Sequence, residues 1–173
     1  RTVWDLPVRW IGLGKSHGQA YAQNIGLEEA RGRYLGFLDA DDRLAPKGLS
    51  ARVQFLDAHE GSQVVMGTVA GLINSIGKMA GSYEASNRHF KKLPRRITWA
   101  RYRRGDLAVP SQSWLRLYRA SALAKVGPFN TQLVCAHDHD HLCRTLKTFA
   151  IDTIGQPVAF YRLHGDNLSG RFV

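Results

Sequence analysis

Cysteine is scarce in this 173-residue chain: Cys135 and Cys143 are the only two. That is too few for a disulfide framework, so a reducing, cytoplasmic setting is expected. Long hydrophobic runs are missing as well. No stretch approaches the ~20 apolar residues that a bilayer-spanning helix needs. Arg1–Asp5 shows neither a starting Met nor a signal-peptide pattern. No internal repeat, low-complexity tract or interdomain linker divides the sequence. One domain over 1–173 is the expectation, at a length that can bury a substantial core.

Acidic residues are absent from one stretch in particular. Between Arg88 and Arg104 stand eight Lys or Arg and no Asp or Glu, whereas the rest of the chain holds sixteen basic and fourteen acidic residues. The net charge of +10 is therefore concentrated in one segment of an otherwise near-neutral body. Such a segment suits an anionic partner such as phosphate, lipid headgroups or nucleic acid, and it equally suits a solvated loop. Trp99 and Tyr102 among the charges fit a peripheral place at an anionic membrane surface, on its inner face. No recognised nucleic-acid-binding motif accompanies them, so a nucleic-acid-binding module is kept only as the last-ranked alternative.

What is present alternates between strand and helix patterns. Val8–Leu13 reads as a short buried strand, and Gln19–Arg31 as a helix with a partly apolar face that Gly32 terminates. Tyr34–Leu38 is a continuous apolar run of the kind buried on both faces of a parallel sheet. Pro46 opens a second helix running to about His59, with Leu49, Val53 and Leu56 on one side. Residues 63–76 read as a strand pair. Further on, Leu115–Tyr118 suits a strand, Ala120–Val126 a helix closed by Gly127-Pro128, and Asp138–Phe149 a helix. Ala150–Ile154 and Pro157–Tyr161 read as short strands. The class is α/β.

The strongest chemical feature is Leu38-Asp39-Ala40-Asp41-Asp42 at the carboxyl end of the apolar run, the sheet edge where α/β proteins bind ligands. Three carboxylates in four residues repel one another unless a divalent cation or water relieves them. Hard oxygen donors suit Mg²⁺ or Mn²⁺ together with substrate phosphates. An acidic turn at a helix start is the plainer alternative.

The ordered set of Gly18, AYAQNIGLEEARGRYLGFLDADD, Val126-Gly127-Pro128-Phe129, AHDHDHLCR (136–144) and YRLHGDNLS (161–169) resembles family-2 glycosyltransferases of the GT-A fold, a Rossmann-like, three-layer α/β architecture. The resemblance implies an inverting, metal-dependent transfer of a sugar from a nucleotide-diphosphate donor, a UDP-sugar, to a hydroxyl of a saccharide or lipid-linked acceptor. It implies that Asp39 contacts the nucleoside of the donor, that Asp41 holds the metal on the diphosphate and that His164 completes that site. Asp138 matches the catalytic base, Asp140 the second acid of that segment, on the acceptor side, and Arg144 the Arg that follows, on the donor side. Asn24 and Gly26 match the helix beside the donor, and Trp114 lies where relatives build the acceptor wall, although a buried core aromatic is the favoured reading of that Trp.

The sequence also departs from the family pattern. Gln23 stands where the family has Arg, His137 replaces the Glu before the base, and His139 replaces an aromatic residue. Nothing corresponds to the opening strand, helix and strand with their uracil-binding acid, so about one βαβ unit is expected to be lacking and one side of the sheet left unpaired. Cys135, His137, His139, His141 and Cys143 alternate, which on a strand would suggest zinc. The helical spacing of Leu142, Leu146 and Phe149 argues against it.

Overall fold

A computed structural model describes residues 8–81 and 93–165. The elements in chain order are α1 (Gln19–Glu29), β1 (Tyr34–Gly36), β2 (Arg43–Leu44), α2 (Gly48–Ala58), β3 (Val64–Ile73), β4 (Met79–Gly81) and β5 (Arg96–Ile97). They continue with α3 (Trp99–Arg103), a 3₁₀ turn (Ser113–Leu115), β6 (Arg116–Arg119), α4 (Ala120–Val126), α5 (His137–Thr148) and β7 (Ile151–Arg162). The basic residues Arg88, Lys91 and Lys92 lie outside the described residues.

The strands form one mixed sheet in the order β1-β6-β3-β7-β2, with β4 added to β3 and β5 to β7. Among the described residues only β3 and β7 run parallel, and every other pair is antiparallel. These two long strands are the spine. Their pairing is interrupted by register shifts, and those let the sheet curl around its core. The core holds Val64, Met66, Trp114, Leu115, Tyr118, Leu123, Leu142, Leu146, Ile151 and Val158, so both the β3–β7 pair and α5 bury their apolar faces in it.

Several expectations need correction. Residues 8–13 form no strand and are largely solvent-facing, with Trp10 90% exposed, because no strand among the described residues offers them a partner. The run at Tyr34–Leu38 gives a three-residue strand that pairs antiparallel with β6 alone; it is half-buried, and Leu38 is exposed. Its apolar letters suit burial on two faces, but β6 inserts between β1 and β3 and leaves β1 at the end of the strand order. The expected strand pair at 63–76 is one ten-residue strand, and the two short strands after Ala150 are one twelve-residue strand. Leu49 is exposed rather than facing the core with Leu56. The helices at α1, α2, α4 and α5 fall close to where their periodicity places them.

The close approach of α2 to β7 explains Gly48, where a Cβ would run into the main chain of Val158. Gly48→Ala is therefore expected to cost about 2–3 kcal/mol through overpacking, read as a lower denaturation midpoint with an unchanged slope. An unaltered midpoint would show that α2 can shift freely.

Candidate active site

Asp39, Asp41 and Asp42 sit in the loop between β1 and β2, at the edge toward which β1 points. Their carboxylate oxygens lie within 4.8 Å of one another, and they form the one group of three or more potential metal ligands among the described residues. Burial is the main force on Asp39, and the charges of Asp138, Asp42 and Asp41 add to it. Together they push its pKa from 3.8 up to about 7, against a stabilising 2.7 Å hydrogen bond from Gln19. Burial likewise raises Asp42 to about 6, resisted by the Arg162 backbone N–H, which donates to it at 2.8 Å. Carboxylates held this close in a half-buried turn strain toward protonation, which a divalent cation would relieve. Asp41 is 2.8 Å from His164 Nε2. The chemistry of the donor set thus fits a hard cation, with Asp41 and its neighbours as oxygen ligands.

Sequence reasoning assigns Arg162 no role, yet it organises this turn. Besides its contact to Asp42, its guanidinium donates to the carbonyls of Asp41, Asn74 and Ser75, tying the acidic turn to the end of β3. Gln19, at the start of α1, is a second such residue. Nothing in a lone Gln on a helix marks it as the partner of an aspartate twenty residues later.

The first turn of α5 closes the other side. The N-cap is Ala136, in the left-handed region at φ 60°, and no side chain caps the helix. A non-glycine residue held there costs on the order of 1 kcal/mol, and it aims the two residues that follow. Asp138 is thus the second residue of the helix and not its cap. Asp138 instead keeps one carboxylate oxygen buried and without a hydrogen-bond partner among the described residues, close enough to Asp39 to raise its pKa. His137 Nε2 stands 3.8 Å from that oxygen, outside hydrogen-bond reach.

Other expected site residues are engaged within the fold. Asp140 and Arg144 pair with each other one turn apart on α5, at 2.8 Å, and Arg144 also donates to the Val126 carbonyl, fastening α5 to α4. Asn24 spends its amide on Phe129, donating to its carbonyl at 2.9 Å and accepting from its N–H at 2.8 Å. It clamps α1 to the loop before α5. Trp114 is fully buried and stacks on Tyr161, because the 3₁₀ turn folds it inward. An acceptor wall there needs another residue. His141, buried against Phe129 with Tyr118 and Phe37 edge-on, has its pKa pushed down to about 3 by burial and by Arg116 and Arg144. It stays neutral as a core residue. The Cys/His alternation dissolves on α5: His137 and His141 are buried, while His139 and Cys135 are exposed.

The family described as glycosyl transferase family 2 matches residues 2–126, well over half of the chain. The chain belongs to glycosyltransferase family 2. Among its relatives, the uncharacterized protein y4gI of Sinorhizobium fredii is 30% identical over 145 residues, covering 83% of this chain and 14% of that protein. The succinoglycan biosynthesis protein ExoO of Rhizobium meliloti is 37% identical over 62 residues, or 36% of this chain and 18% of ExoO. The crystal structure of S. aureus TarS 1-349 in complex with UDP-GlcNAc superposes with a TM-score of 0.63 at 21% identity, covering 91% of this chain and 43% of that one. The fold of this family-2 member is the mixed α/β GT-A fold with its curled sheet. The chain spans less than half the length of each of these proteins. No helix among the described residues is long and apolar enough to cross a membrane.

Proposed function

We propose that this family-2 glycosyltransferase moves a sugar, with inversion, from a nucleotide-diphosphate donor to an acceptor hydroxyl. The observation that carries the reading is the pair of facing carboxylate sets: Asp39, Asp41 and Asp42 on the β1–β2 turn, and Asp138 on the first turn of α5 with an unbonded oxygen. The acceptor O–H gives its proton to Asp138 as its oxygen attacks the anomeric carbon, and the bond from that carbon to the diphosphate breaks. Asp39 receives the nucleoside, and Asp41 with His164 faces the diphosphate. Bound Mg²⁺ or Mn²⁺ would neutralise the charge that builds on the leaving diphosphate. A UDP-sugar donor is supported by the UDP-GlcNAc that TarS holds, and a saccharide acceptor by the name of the succinoglycan biosynthesis protein ExoO.

Titration with UDP tests the donor side. Binding should be strengthened by Mn²⁺ in the wild type and should lose that dependence in Asp41→Ala. Equal, metal-independent binding by both proteins would instead favour an incomplete relative that has kept the fold without the chemistry.

A further inference from the structure

We infer that the exposed basic segment leading into and along α3 is part of the acceptor site, and that the acceptor is a linear polyanion whose negative charges lie on Arg95, Arg101 and Arg103. The inference rests on the glycosyl-transfer reading and adds the chemical class of its acceptor.

Of the five described arginines in the acid-free stretch, two are neutralised locally. Arg96 pairs with Asp152 at 3.1 Å and Arg104 with Asp106 at 2.8 Å. Arg95, Arg101 and Arg103 are exposed and make no ion pair among the described residues. Three like charges left unpaired on one short segment repel one another, and a partner bearing repeated negative charges relieves that repulsion. Arginine is the suitable residue, since its planar fork meets phosphate or carboxylate oxygens two at a time.

The position of this face is what ties it to the acceptor. α3 lies along α5 with a defined direction. Trp99, its first residue, has the Lys147 ammonium 5.2 Å from its ring, near the end of α5. Tyr102, one turn later, brings its hydroxyl to 3.3 Å from His139 Nε2, in the first turn of α5. The two helices are therefore antiparallel, and the arginine-bearing end of α3 points toward the turn that carries Asp138. His139, which replaces an aromatic residue of the family pattern, is exposed between the two and extends the polar track. A chain held on Arg101 and Arg103 would reach Asp138 across His139, whereas a membrane held there would have to meet the mouth of the site itself. Trp114, in the region where relatives build the acceptor wall, is buried in the core, as Trp commonly is, and leaves acceptor recognition to other residues.

The test compares the full chain with Arg95→Gln/Arg101→Gln/Arg103→Gln, using four probes. These are a short poly(glycerol phosphate), a polygalacturonate oligomer, neutral dextran, and phosphatidylglycerol vesicles. The wild type should bind one or both soluble polyanions and not dextran at about 50 mM salt, and should release them by about 300 mM, as exposed charge pairs do. The triple variant should bind roughly tenfold more weakly or worse, with an unchanged melting temperature. Equal polyanion binding by the two proteins would overturn the inference. So would an absence of preference over dextran, or binding to vesicles without binding to either polymer, which would assign the face to a membrane. The UDP titration is read separately: its failure would count against glycosyl transfer, while polymer binding alone decides the basic face.

Discussion

Asp138→Asn should lower sugar transfer by roughly 100-fold or more, the usual scale for losing a general base, while UDP binding persists. The substitution keeps shape and hydrogen-bonding capacity and removes basicity. A carboxylate serves here because the acceptor hydroxyl loses its proton only as attack proceeds, so a weak base within reach is enough. The geometry separates this outcome from a structural one. Because Ala136 occupies the N-cap position and no side chain among the described residues caps α5, the Asp138→Asn change removes no cap and should leave the protein folded. Turnover and the melting temperature measured on the same protein give the answer. Near-normal turnover by the folded variant would reject Asp138 as the base.

Asp39→Asn should stabilise the metal-free protein most at pH 8, less at pH 5, and little below about pH 3.8. The folded pKa of Asp39, about 7, lies above the ordinary 3.8, so the folded state holds a proton that the unfolded state has lost between those values. Stability from this group is present at low pH and is lost as pH rises through the folded pKa. At about 1.4 kcal/mol per unit the ceiling is about 4 kcal/mol, and partial exposure brings it to on the order of 2 kcal/mol. For a chain of this length that is a melting-temperature gain of about 5 °C at pH 8. His141, held neutral with a depressed pKa, produces a pH slope of the opposite sign, since it favours the unfolded state as pH falls below its ordinary value. The difference between variant and wild type removes that contribution. Thermal melts in EDTA at both pH values are the measurement, and a gain of equal size at both would show that charge on Asp39 is not what destabilises the turn. Saturating Mn²⁺ should shrink the difference at pH 8 by stabilising the wild type.

The helices and the acidic turn are legible because they are written locally. Periodic leucines, the Gly127-Pro128 stop and the three aspartates after an apolar run depend on residues a few positions apart, and those readings stand at α1, α2, α4, α5 and the Asp39–Asp42 turn. Strand burial is not legible. Tyr34–Leu38 and Val8–Leu13 have the composition of buried strands, but burial of a strand depends on its neighbours. The neighbour of β1 is β6, about eighty residues further along the chain.

Composition and local pattern by themselves determined the α/β class, the helix positions, the family motifs and the candidate chemistry of the acidic turn. The tertiary structure decided which side chains were left for that chemistry. It turned Trp114 into the core, gave Asn24 to the Phe129 backbone and Arg144 to Asp140, and brought Gln19, Arg162 and Asp138 around the aspartates. The physical reason is that a polar side chain serves a ligand only if its hydrogen-bonding capacity is not already satisfied within the fold. That depends on long-range partners set by strand order and helix packing, which no local pattern encodes.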